Sequence, residues 1–248
     1  MNLARSAIRT LIFGGPLRSA RNILRPAVRA VIGERAYNKM LYTANMRLKA
    51  SGGYDDAFFE HIEQHNESCY PLLAETLINQ FHPESLVDVG CGSGGISQAF
   101  FNAGVREVHS FDYSEAALER ARARGLPDVR KIDLGVVVDI PAKADLCICL
   151  EVAEHLPESL AFKLCVLLSE VAPTLVMTAA PPEQGGVHLH VNEQPQEYWI
   201  SLMDRVRMRY DGVAVRAIRK AYAGKMIKDY DQNLMVFRRM PSHRIWAQ

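Results

Sequence analysis

The chain has 248 residues, 48% of them hydrophobic, and a formal net charge of +1, enough material to bury one sizeable core with room for a small appendage. Its five cysteines, Cys69, Cys91, Cys147, Cys149 and Cys165, are odd in number and form no C-x-x-C, which argues against a disulfide framework or a zinc knuckle and for a reducing compartment. No uncharged apolar run approaches the roughly 18 residues of a membrane-spanning helix, so a cytoplasmic body is expected.

Charge is unevenly placed along the chain. Residues 1–49 hold ten Lys or Arg against the single acid Glu34, and the remainder is acidic. The stretch "NLARSAIRTLIFGGPLRSARNILRPAVRAVIG" mixes these arginines with Leu, Ile and Val. Such an arm suits an anionic membrane surface, has the composition of a transit peptide, or forms short helices packed on the domain. Nucleic acid is disfavoured as a partner, because Phe13 is the arm's one aromatic residue before Tyr37. The expected organisation is a basic arm over 1–50, one domain over 51–240 and a tail over 241–248.

From Asp55 the apolar residues recur at helical spacing, predicting two helices that bury Leu73 and Leu77 among others. Strands and helices then alternate. "SLVDVG" predicts a strand, "SGGISQAFFNAG" a helix closed by Gly104, and "VREVHSFD" a second strand. "YSEAALERARARG" predicts a helix capped by Ser114 and ended by Gly125. "DVRKIDL", "ADLCICLEV" and "TLVMTAA" predict three further strands, with a helix opening at Pro157 before the last of them. "QPQEYWISLMDRV" predicts another helix, and "DGVAV" and "NLMVFRR" the two closing strands. This beat predicts a doubly wound α/β sheet that places ligands at the carboxyl ends of its parallel strands.

The first such end is "VDVGCGSGG", Val87 to Gly95. Gly90, Gly92 and Gly94 let backbone approach a ligand, but Asp88 beside them opposes a pyrophosphate. A ligand with a sulfonium and an ammonium and no phosphate answers that carboxylate better. From about Asp55 to Arg239 the sequence resembles class I S-adenosylmethionine-dependent methyltransferases, whose fold is a seven-stranded Rossmann-like sheet with an antiparallel last strand. The resemblance implies that Asp88, Gly90, Cys91, Gly92 and Gly94 form the cofactor turn. It further implies that Asp112 and Tyr113 of "FDYSE" hold the ribose, and Asp133 and Leu134 of "KIDL" the adenine. Taken singly, Asp112 could start a helix and Asp133 could make a turn.

The second site follows the fourth strand. In "CLEVAEHLPE", Glu151, Glu154 and His155 stand at i, i+3 and i+4 and share one face if the segment turns helically. "GGVHLHVNEQPQEYW" adds His188 and His190 after the fifth strand. An E-x-x-E-H with a later histidine can bind a divalent ion, Mg²⁺ or Mn²⁺, through two oxygens and two nitrogens. His155 and His188 are the candidate general bases. The E-x-x-E-H pattern is similar to metal-dependent plant small-RNA 2′-O-methyltransferases and to O-methyltransferases of ubiquinone biosynthesis, and the resemblance to the small-RNA enzymes implies Glu151, Glu154, His155 and His190 as the ligands. The "HVNEQP…YW" segment resembles bacterial sugar and glycan O-methyltransferases. Many methyltransferases also carry E-H here without a metal, as pocket lining or a helix cap.

The expected function is O-methylation of a sugar, glycan or other diol-bearing acceptor with metal assistance. The alternatives are a metal-free enzyme for a lipid or aromatic acceptor at a membrane, a silent cofactor-binding scaffold, and a nicotinamide oxidoreductase that Asp88 opposes. Tyr198 and Trp199 suit either a sugar face or the core, while Cys147 and Cys149, alternating with Leu146 and Ile148, suit the core.

Overall fold

The computed structural model describes residues 56–182, 184 and 190–241, with a few positions between 28 and 40. The basic arm and its membrane, transit or packing readings fall almost wholly outside these residues. Two helices, α1 (Asp56–Asn66) and α2 (Tyr70–Phe81), lead into the sheet. Then follow β1 (Ser85–Val89), α3 (Gly95–Asn102), β2 (Glu107–Asp112), α4 (Glu115–Ala123), β3 (Asp128–Lys131) and β4 (Leu146–Leu150). A 3-10 turn (Ala153–His155), α5 (Glu158–Val171), β5 (Thr174–Thr178) and α6 (Gln196–Arg205) come next. The chain closes with β6 (Met208–Tyr210), α7 (Gly212–Tyr222), α8 (Lys228–Gln232) and β7 (Met235–Arg239).

The strands form one seven-stranded sheet in the order β3-β2-β1-β4-β5-β7-β6. Strands β1 to β5 are parallel, β7 runs antiparallel to β5, and β6 antiparallel to β7. The expected doubly wound architecture, with helices before the sheet and an antiparallel last strand, is what the chain adopts. Strand residues alternate between two cores because successive side chains leave opposite faces. Leu86, Leu146, Ile148, Val176 and Val236 join α2, α3 and α7 on one side. Val87, Cys147, Cys149, Leu175, Met177 and Phe237 join α5 and α6 on the other. Cys147 and Cys149 are wholly buried and serve the core. Trp199 is wholly buried too, which settles it as a packing residue, with Tyr198 edge-on to it at 5.1 Å.

Local signals explain most element ends. The Ser114 hydroxyl accepts from the Ala117 amide at the start of α4, and Gly125 leaves that helix at a φ of 80°. One expectation fails: "DGVAV" is not a strand. The Asp211 carboxylate accepts from the Ala214 amide at 2.9 Å and caps α7, which buries Val215, Ile218 and Tyr222 at helical spacing. The sixth strand is instead the three residues Met208–Tyr210. Five residues with two valines satisfy either period, and the cap decides between them. Among the described residues no helix is long and apolar enough to cross a membrane.

Candidate active site

The carboxyl ends of β1, β2, β4 and β5 meet along one edge of the sheet, and the glycine turn leaves β1 there. Its shape is held from β2: the amides of Gly90 and Cys91 both donate to the Phe111 carbonyl, at 2.7 and 2.9 Å. The Gly92 amide donates to Asp112 Oδ2 at 2.9 Å, and the Ser114 amide to Asp112 Oδ1 at 2.8 Å. Asp112 thus joins the end of β2 to the turn.

The glycines have different jobs. A Cβ on Gly90 would overlap Val152, and one on Gly94 would meet Leu126 Cδ1 at 2.7 Å and Ala121 Cβ at 2.8 Å. Both positions are packed from inside the protein. Gly92, with a φ of 54°, has among the described residues only Phe59 of α1 near it, at 3.9 Å, which leaves room beside the backbone there. Cys91 turns its thiol inward, 7% exposed. Helix α1 is clasped over the turn by α4: Arg120 and Arg124 each reach Glu63 at 2.9 Å, and Arg124 also donates to the Ser93 carbonyl.

Asp88, expected in the cofactor turn, lies buried beneath it. It is 1% exposed, and its Oδ2 accepts from Ser97 Oγ at 2.6 Å, while Ser97 in turn accepts from Ser110 Oγ at 3.0 Å. Burial pushes its carboxyl up to about 7, the Ser97 bond working against that and the Asp112 charge adding to it. Asp133 Oδ1 accepts from the Gly135 amide at 2.8 Å, a turn bond just past β3. The Ile132 amide donates to the Asp112 carbonyl, which keeps Asp133 beside the end of β2. Leu134 packs against the core, and Tyr113 is 37% exposed beneath Lys131.

At the second constellation Glu154, His155 and His190 offer ligand atoms all within 4.8 Å of one another. Their rings and backbone are interlocked. His155 and His190 meet edge-on at 4.9 Å, and the amides of Val191 and Asn192 donate to the Glu154 carbonyl at 2.8 and 3.1 Å. Among the described residues neither of the buried Glu154 carboxylate oxygens has a donor in hydrogen-bond geometry, although the Ala180 backbone and the Glu151 side chain lie close enough to bear on them. Burial and the neighbouring Glu151 charge hold this carboxyl well above the usual range.

Glu151, expected in the same group, is not among the side chains whose ligand atoms lie within 4.8 Å of one another, although its carboxyl lies against that of Glu154. Its backbone adopts a φ of 53°, so the segment does not turn as an α-helix from Glu151. Its Oε1 accepts from Asn233 Nδ2 at 3.1 Å and its Oε2 from Gln184 Nε2 at 3.4 Å, while its amide donates to Thr178 Oγ1 at 2.9 Å. Burial foremost, and the Asp229 charge besides, push the Glu151 carboxyl upward against the bonds from Asn233 and Thr178. His188 lies outside the described residues. Phe59, Ser97, Gln184 and Asn233 escaped the sequence reading because their partners are distant in the chain. Glu193, three residues after His190 and 3.0 Å from its Nδ1, was legible in "HVNEQP".

Residues 87–166 match the family model described as a methyltransferase domain. Over 81 residues the chain is 35% identical to a ubiquinone biosynthesis O-methyltransferase of Idiomarina loihiensis, covering 30% of this chain and 33% of that protein. The chain therefore spans about a third of the length of the curated relatives it matches. Among solved structures it is similar to the magnesium protoporphyrin IX methyltransferase of Synechocystis PCC 6803 with bound S-adenosylhomocysteine, at a TM-score of 0.53 and 18% identity, covering 71% of this chain and 84% of that one. It is also similar to a sugar N-methyltransferase from Streptoalloteichus, at 0.57 and 12% identity, covering 75% and 92%. The chain thus has the fold of these methyltransferases, and the stretch that matches the methyltransferase-domain model carries the glycine turn, Asp112, Asp133, Glu154 and His155.

Proposed function

We propose that the chain is an S-adenosylmethionine-dependent O-methyltransferase. Its acceptor is a diol-bearing molecule, a sugar or glycan in the first reading, and a divalent ion, Mg²⁺ or Mn²⁺, assists. The turn fits this cofactor by its chemistry: Gly92 is open, and Asp112 offers lone pairs suited to a ribose diol. Arg124, the guanidinium bonded to the turn, is already matched by Glu63 and Glu67, which leaves little positive charge for a pyrophosphate and disfavours a nicotinamide oxidoreductase. The methyltransferase-domain match and the O-methyltransferase relatives support the same class.

When bound, S-adenosylmethionine supplies an electrophilic methyl group. In this reading Gly90, Gly92 and Gly94 shape the backbone that receives it, with Asp112, Tyr113, Asp133 and Leu134 along the nucleoside. Asp88 acts from beneath the turn through charge, not contact. Glu154, His155 and His190 hold the ion, whose chemistry is to lower the pKa of an acceptor hydroxyl. His155, or His188, takes the proton.

One observation carries the metal: among the described residues the fully buried Glu154 carboxyl has no donor in hydrogen-bond geometry to either oxygen, and it stands beside two imidazoles. An ionised carboxylate there is costly by several kcal/mol unless a cation meets it. Glu151 then serves the group from behind, held by Asn233. The specific observation favouring a lipid or aromatic acceptor as second reading is that the curated relatives are O-methyltransferases of ubiquinone biosynthesis. In that reading residues 1–50 bring a cytoplasmic enzyme to an anionic membrane.

Calorimetric titration with S-adenosylhomocysteine, with Mn²⁺ present and after chelation, tests the division of labour. Asp112→Ala should lose cofactor binding, whereas Glu154→Ala should keep it and lose both Mn²⁺ binding and turnover. Equal loss of cofactor affinity in the two variants overturns it. Cofactor binding by the unaltered protein without turnover on any acceptor supports a silent scaffold.

A further inference from the structure

One buried carboxylate beside the Glu154 group has no part in the reading above. Glu193 Oε1 stands 3.0 Å from His190 Nδ1, with the two side chains 13% and 8% exposed. Both residues belong to one short segment, and the Val191 and Asn192 amides fasten that segment to the Glu154 carbonyl. Asn192 is 3% exposed, and its carboxamide oxygen accepts from Gln194 Nε2 at 3.0 Å, which anchors the segment again. The edge-on His155 ring at 4.9 Å limits how far His190 can rotate.

An ionised carboxylate can only accept, so a neutral imidazole must carry its proton on Nδ1 to make this bond. Nε2 is then left with its lone pair, and the tautomer is chosen by the partner of the other nitrogen. We propose that Glu193 is a positioning residue that fixes the Nδ1–H tautomer and the ring orientation of His190, so that Nε2 is the atom offered to the Glu154–His155 group. The use made of Nε2 rests on the proposed metal-assisted function; the Glu193–His190 pair itself does not. Carboxylates in this place behind a liganding histidine orient the ring and strengthen it as a donor, and their loss weakens metal binding by roughly 10–100-fold.

The experiment records imidazole ¹⁵N spectra of the full-length protein labelled at histidine, with His190 assigned by the signals lost in His190→Gln. Mn²⁺ alone is then titrated and followed by its electron paramagnetic resonance. Metal-free protein should show His190 protonated on Nδ1 and bare on Nε2. Glu193→Gln, whose amide oxygen can still accept, should keep that tautomer, and Glu193→Ala should move the proton to Nε2 or mix the two forms. Glu193→Ala should also weaken Mn²⁺ binding roughly 10–100-fold, with S-adenosylhomocysteine affinity unchanged. A wild-type His190 protonated on Nε2, or on both nitrogens at neutral pH, overturns the proposal. So does a Glu193→Ala protein with the wild-type tautomer. If Glu193→Ala does not fold, the wild-type and Glu193→Gln spectra decide. Absence of Mn²⁺ binding in the wild type defeats the metal reading alone, since the tautomer still answers for Glu193.

Discussion

Two glycines two residues apart are predicted to fail in opposite ways when each is changed to alanine. At Gly94 the φ of 78° puts the new residue in the left-handed region, at roughly 1–2 kcal/mol. Its Cβ would also stand 2.7 Å from Leu126 Cδ1 and 3.1 Å from the Ala121 Cα. The leucine tip can move, but the Ala121 backbone cannot without shifting α4, and overpacking of that kind costs about 1–3 kcal/mol. Gly94→Ala should therefore lose about 2–5 kcal/mol, or roughly 4–20 °C of melting temperature for a chain of this size. At Gly92 the backbone cost is similar, but among the described residues the Cβ meets only Phe59 at 3.9 Å. Gly92→Ala should lose about 1–2 kcal/mol, roughly 2–8 °C. It also keeps the amide bond to Asp112. Its added methyl, however, faces the open side of the turn, so affinity for S-adenosylhomocysteine should fall at least about tenfold, ~1.4 kcal/mol. Differential scanning calorimetry and ligand titration on both variants read the two effects separately. Wild-type affinity in Gly92→Ala would refute the placement of the ligand against that residue. A Gly94→Ala melt within about 2 °C of wild type would refute the packing argument.

Asp88 predicts a pH dependence of stability. Burial raises its folded carboxyl to about 7, above the unfolded value of about 3.9, so between these the folded state binds the extra proton. Its contribution to stability consequently falls as pH rises from about 4 to about 7 and is flat beyond. Asp88→Asn should gain melting temperature over wild type progressively between pH 5 and pH 8; a pH-independent difference would defeat the reasoning. Asn233→Leu leaves Glu151 Oε1 buried without its amide donor, at a cost of about 1–3 kcal/mol. Turnover should drop while S-adenosylhomocysteine affinity holds, and an unchanged turnover number would remove Asn233 from the site.

Short-range patterning was sufficient for the frame of this protein. Short buried runs such as "SLVDV" and "TLVMT", helices with caps like Ser114, and a glycine turn ending β1 are all set by neighbours within a few residues, and the fold follows from their order. The same order sets Asp112, Asp133, Glu154 and His155 at or just after strand ends, where parallel sheets present ligand-binding residues. What the tertiary structure alone decided is which way each polar group faces. Asp88 turns inward to Ser97, since burial leaves that hydroxyl as its donor. Glu151 is tied to Asn233, 82 residues away, because the antiparallel return of β7 beside β5 brings that carboxamide to the end of β4. "DGVAV" became a helix when Asp211 found the Ala214 amide. A motif specifies a position on the chain, but hydrogen-bond partners for buried polar atoms are chosen by packing across the whole sheet, and no local window contains that information.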